Sequence, residues 1–90
     1  MRKLLSYNIE NEDTVIPLSS LGIGMSAFII GFADKKQKIF LRLLELGFIV
    51  GSRITTCGKA PFGNPLIFTI HGGKLALRKE DAECVLVKIA

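Results

Sequence analysis

The sequence predicts a mostly β domain, a small and partly open barrel of SH3 or OB type with about five short strands and one α-helix inserted at about residues 35–46. Three observations carry this. Apolar residues recur at the helical period only between Asp34 and Leu46, and from Arg53 to Ile89 the period becomes two. Glycine and proline turns punctuate the second half at strand-length intervals, and bending several short strands into a barrel protects their edges. Finally, 90 residues hold only one core, because a chain of this size buries only about 60% of its extended surface.

Residues 1–16 are mixed and polar, without a period, and read as an N-terminal extension or loosely attached strand; the barrel is expected over 17–90. Leu18 to Met25 carries the serine and glycine spacing of a turn, and Ala27–Phe32 is an apolar run of strand length. Thr14 to Ala33 has no charge over nearly the length of a membrane span. Pro17, Gly22, Gly24 and Gly31 interrupt it, and Glu10, Glu12 and Asp13 precede it where a signal peptide would carry cations, so two short strands around a turn are expected.

Asp34 suits a helix N-cap, with Gln37 at the returning position of a capping box. Ile39, Leu43 and Leu46, with Phe40 and Leu44 beside them, form the apolar face. Gly47 suits the left-handed C′ position, and Phe48 can fold back on Leu43 as in a Schellman stop. Gly51-Ser52 then turns the chain into a strand over Arg53–Lys59. Leu66, Phe68 and Ile70 share one face, Gly72-Gly73 makes a hairpin turn, Leu75 and Leu77 alternate with polar neighbours, and Val85, Val87 and Ile89 point one way in a last strand.

Composition bounds the function. With 22% charged and 49% apolar residues the chain is neither disordered nor a coiled coil, and so small a body should leave a contiguous apolar patch in solvent as an interaction site. The net charge of +4 is uneven, since residues 1–13 carry −1 and the remainder +5. That excess suits solubility, nucleic acid, acidic lipid or an acidic protein face without choosing among them. Cys57 and Cys84 match no zinc spacing and are too few for a disulfide scaffold, so they read as buried thiols in a reducing cytoplasm.

No catalytic constellation is present. His71 sits at a hairpin tip without a sequence partner, and Glu80, Asp81 and Glu83 crowd one turn with Arg78 and Lys79 as a locally paired charged segment. There is no phosphate loop, and Gly22-Ile23-Gly24 lacks the third glycine of a dinucleotide fingerprint, so no cofactor is expected. Most of the six phenylalanines lie in apolar runs and read as core more readily than as base-stacking platforms. Lys35 and Lys36 occupy the first helical turn, against the macrodipole, as solvated cations or as a contact for an acidic partner.

The segment Ala60-Pro61-Phe62-Gly63-Asn64-Pro65-Leu66 is a pinned turn in which Pro61 presets φ, Gly63 suits the exit and Phe62 is left exposed at the tip. Together with Leu44-Glu45-Leu46-Gly47-Phe48 before it and Leu75-Ala76-Leu77-Arg78 through Ala82 after it, this turn resembles the FeoA family of ferrous iron transport proteins over about residues 17 to 90. The resemblance implies an SH3-like barrel with an inserted helix, a cytoplasmic and non-enzymatic role in iron homeostasis and transition-metal handling, and a partner in FeoB, the membrane permease with a GTP-binding domain. It also implies that the chain affects iron uptake or GTP hydrolysis, in either direction. The expected partner surface is Phe48, Pro61, Phe62, Gly63, Asn64 and Pro65 with the neighbouring helix, although the turn could equally serve structure alone. Weak self-association is left open.

The same fold ends iron-dependent repressors of the diphtheria-toxin-repressor type, but 90 residues leave no room for their DNA-binding and dimerisation domains. Asn64 stands where the family often has aspartate. Two other functions fit the composition: a basic barrel binding single-stranded nucleic acid, and a metal-sensing module using His71, Cys57 or Cys84 with carboxylates.

Overall fold

In a computed structural model the chain is described over residues 15–33 and 37–90. One antiparallel sheet of six strands organises these residues: β1 (Val15–Pro17), β2 (Ser26–Phe32), β3 (Arg53–Lys59), β4 (Leu66–Ile70), β5 (Gly73–Leu77) and β6 (Val85–Ile89), in spatial order β1-β6-β2-β3-β4-β5. The sheet is not closed, and β1 and β5 are its edges. A 3-10 turn after β1 (Leu18–Ser20) nevertheless packs against a one-turn helix after β5 (Lys79–Ala82, here α2), with Leu18 and Ala82 both fully buried, so the two ends of the sheet curl toward each other.

The sixth strand is β1, which straddles the boundary expected at residue 17. Three residues carry no period of their own; the strand exists through pairing with β6, Ile16 opposite Val87. The Thr14–Ala33 stretch contains β1, the 3-10 turn and β2, and among the described residues no helix is long and apolar enough to cross a membrane. The expected cap at Asp34, the lysines 35 and 36, and residues 1–14 lie outside the described residues.

Alternation places Ala27, Ile29, Ile54, Phe68, Val85 and Val87 in one core. Two bulges break the ladder, at Ile29/Gly31 in β2 and Thr56/Gly58 in β3, where glycines tolerate the local bend. Ile54 and Thr56 face inward on β3, which turns Cys57 outward. It is exposed, contrary to the buried thiol expected, with its Sγ 2.7 Å from Thr69 Oγ1. Cys84 is half-buried, its thiol donating to the Glu80 carbonyl.

Helix α1 (Gln37–Glu45) ends as its sequence predicts. Gly47 has φ 98°, the Phe48 N–H donates to Leu43 O at 2.9 Å, and the Gly47 N–H to Leu44 O at 3.0 Å, the paired bonds of a Schellman stop. The β4–β5 hairpin turn is His71-Gly72, both at positive φ, with Gly73 already paired in β5; the expected Gly72-Gly73 turn lies one residue late. A type I′ turn needs positive φ at both central residues, and histidine tolerates that better than most side chains.

Candidate functional site

The Ala60–Pro65 loop joins β3 to β4 and is closed by two backbone bonds. Gly63 N–H donates to Ala60 O and Ala60 N–H to Pro65 O, both at 2.9 Å. Within it Phe62 has φ 72° and ψ 8°, the third position of a type II turn, where glycine is usual. An L-residue held there costs about 1–2 kcal/mol. The ring gains nothing from the described residues in return, because Phe62 is fully solvent-exposed at 105%. A large apolar side chain on a strained, closed loop has the preorganised form of a contact tip.

Asn64 fixes this tip to the rest of the fold. Its Oδ1 accepts the Lys79 N–H at 3.1 Å and its Nδ2 donates to Glu80 Oε1 at 3.4 Å. Helix α2 has Arg78 at its N-cap with no side-chain cap bond, so Asn64 satisfies an orphan N–H from across the molecule. The Glu80 backbone N–H and then the Asn64 amide hold the Glu80 carboxyl below its ordinary 4.5. Aspartate at position 64 would keep the acceptor for Lys79 and lose the donor for Glu80. Asn64, Pro65, Arg78 and Glu80 line a shallow cleft of about 360 Å³ beside the tip.

Phe48 belongs elsewhere. Its side chain is fully buried, so the contact role expected for it is corrected to a core role: the Schellman bond that draws it back toward Leu43 also draws it into the interior. Pro61 and Asn64 are exposed with Phe62, while Gly63 and Pro65 are half-buried. The six expected contact residues thus divide into a five-residue tip and one core anchor.

Composition implied an apolar patch reaching solvent, and it lies at the other end of β3. Ile30 and Phe32 of β2, Phe40 and Leu44 of α1, and the Ile49-Val50 turn line an open groove of about 510 Å³. Phe32 and Phe40 meet edge to face, with centroids 5.1 Å apart. Of the phenylalanines, Phe48 and Phe68 are fully buried and Phe62 is exposed at its tip as expected, whereas Phe28 is exposed and not core, because it falls on the outer face of β2. His71 links the hairpin tip to α1: its Nε2 lies 3.0 Å from Gly47 O and 3.3 Å from Ser52 Oγ. A carbonyl only accepts, so Nε2 carries the proton. Among the described residues no three His, Cys, Asp or Glu side chains converge to hold a metal ion.

The FeoA domain model matches residues 16–89. This chain belongs to the FeoA family. A curated relative, the Fe(2+) transport protein A/Fe(2+) transporter FeoB fusion protein of Porphyromonas gingivalis, is 33% identical over 72 residues. That match takes in 80% of the chain and 8% of the relative, so the chain spans a small fraction of the fusion protein's length. Among solved structures, the FeoA-like protein of Clostridium acetobutylicum has a TM-score of 0.78 at 30% identity, covering 84% of this chain and 87% of that one. The zinc-complexed FeoA of Stenotrophomonas maltophilia, described as a prokaryotic SH3 domain protein, has a TM-score of 0.69 at 34% identity, covering 79% and 87%. The open, mostly β sheet of this FeoA chain is accordingly SH3-like, and its family serves ferrous iron transport.

Proposed function

We propose that this FeoA-family chain is a non-enzymatic cytoplasmic adaptor that docks its Pro61–Pro65 tip on the cytoplasmic part of a FeoB-type permease and so modulates iron transport or the permease's GTP hydrolysis. The observation that carries the reading is Phe62: a fully exposed ring on a strained backbone, in a loop closed by hydrogen bonds and anchored through Asn64. Inserting such a ring into a partner's pocket recovers apolar area without ordering the loop first. Fusion of the two modules in the P. gingivalis relative supports the choice of partner.

The test is calorimetric titration of the chain with the soluble cytoplasmic domain of a FeoB-type permease. Phe62→Ala is expected to lower affinity at least about tenfold, equivalent to about 1.4 kcal/mol, while leaving the fold intact. Phe48→Ala serves as the contrast: emptying a fully buried ring site should cost about 3–5 kcal/mol of stability and affect binding only through unfolding. Equal affinity for Phe62→Ala and the parent would dismiss the tip as the contact.

A further inference from the structure

The outer face of the sheet, turned away from the core, takes no part in the reading above. Alternation sends Ser26 and Phe28 of β2, Arg53 and Thr55 of β3, Thr69 of β4 and Lys74 of β5 to this side, since Ala27, Ile54, Phe68 and Ile70 between them are buried. Register gathers them into two rows. Phe28 lies directly between Arg53 on β3 and Lys88 on β6, and the next row runs Ser26, Thr55, Thr69, Lys74 across four strands. Charge on this face has one sign. None of the six strands contains an aspartate or glutamate, and the carboxylates of the described residues, Glu45, Glu80, Asp81 and Glu83, lie in or next to the two helices. Arg53 and Lys74 are both exposed. The hydroxyl row also has a donor to offer, because Ser26 Oγ and Thr55 Oγ1, 2.7 Å apart, share one hydrogen bond and so leave one O–H for another acceptor.

We propose that this face binds single-stranded nucleic acid, with one base stacked on Phe28 and backbone phosphates held by Arg53, Lys74 and the Ser26 and Thr55 hydroxyls. A stacking ring set among cations is the working part of sequence-tolerant single-strand sites. Directly opposite residues on neighbouring strands stand about 4.5–5.5 Å apart at Cβ, so Arg53 reaches a base lying on Phe28 or the phosphate beside it. A membrane surface fits less well. Phe28 is only 42% exposed, and lowering it into lipid would carry the hydroxyl row with it, whereas a base can lie on the ring from outside. One ring and two exposed cations make a small site, so binding is weak and salt-sensitive.

NMR titration of the isotope-labelled full chain with oligo-dT and oligo-rU of about 12 nucleotides tests this. The amides around Phe28, Arg53 and Thr55 are expected to shift with both strands, and neutralising about two phosphates predicts an affinity loss of about sevenfold between about 50 and about 200 mM salt. Phe28→Leu should weaken binding at least about fivefold, and Phe28→Tyr, which keeps a π-face, should retain it, both with an unchanged circular dichroism spectrum. Arg53→Gln should weaken binding and flatten the salt dependence, and Phe62→Ala should have no effect. Absence of shifts with either oligonucleotide at low salt would overturn the proposal, as would equal binding by Phe28→Leu and the parent. Co-sedimentation with vesicles of equal parts phosphatidylcholine and phosphatidylserine, without oligonucleotide binding, would overturn it in favour of a lipid surface.

Discussion

Replacing Gly47 with alanine isolates one structural link, because three independent requirements meet at that residue. Its φ of 98° lies in the left-handed region, it provides the C′ turn of the Schellman stop, and its carbonyl accepts the His71 Nε2–H. A Cβ built there would stand 3.0 Å from His71 Cδ2, and the ring has little freedom to retreat because its Nε2–H is held by the Gly47 carbonyl at 3.0 Å, with Ser52 Oγ 3.3 Å away. The backbone term costs about 1–2 kcal/mol and a lost or lengthened histidine bond about 0.5–1 kcal/mol more, giving roughly 2–3 kcal/mol. For a domain of this size that corresponds to a fall in Tm of roughly 10–20 °C. Thermal and urea denaturation of Gly47→Ala, His71→Ala and the double variant would measure it. Removing the ring should relieve the contact, so Gly47→Ala should cost less in the His71→Ala background, leaving only the backbone term. A Gly47→Ala variant within about 0.5 kcal/mol of the parent would refute the strain argument, and identical costs in both backgrounds would refute the steric coupling.

Thr56→Val should leave stability unchanged or raise it, since the buried Thr56 hydroxyl has no hydrogen-bond partner among the described residues and an orphaned polar group costs about 1–3 kcal/mol. A marked loss in urea melts would show that the hydroxyl is satisfied after all. Glu80 has a depressed folded-state pKa, so its contribution is present above the ordinary 4.5 and is lost as pH falls through the lower folded value. NMR titration should find the Glu80 carboxyl below 4.5 and, in Asn64→Ala, moved only part of the way back, because the backbone N–H is the larger cause. Asn64→Asp should destabilise the parent at neutral pH through repulsion of Glu80 and recover on acidification. A pH-independent effect would argue against that pairing.

What could be read in advance was local. The Gly47 stop, the inward face of Leu66, Phe68 and Ile70, and the pinned Ala60–Pro65 turn depend on residues within a few positions of one another. The missed features depend on partners far along the chain. β1 has three residues and pairs with a strand some 70 positions away, so no local period could announce it. Helix α2 begins at a poor N-cap, Arg78, and the group that satisfies its first N–H is Asn64. The sequence around Gly47 ties Phe48 to Leu43 but does not reveal its burial, since whether a C″ residue covers a core or enters it depends on the sheet beneath. The signal that could have exposed the Ile49-Val50 turn was in view: two aliphatics in a turn before Gly51, where polar residues are usual.

The two apolar projections stand at opposite ends of β3. The Ile49-Val50 turn precedes Arg53 and the Phe62 tip follows Lys59, so a seven-residue strand, about 20 Å long, separates them. At that distance, with no shared side chain, substitutions at the two sites should act independently. Val50→Asp should accordingly leave one-to-one affinity for a soluble partner domain unchanged. If the soluble, one-to-one affinity falls with Val50→Asp, the two ends are coupled and the picture of independent sites is wrong.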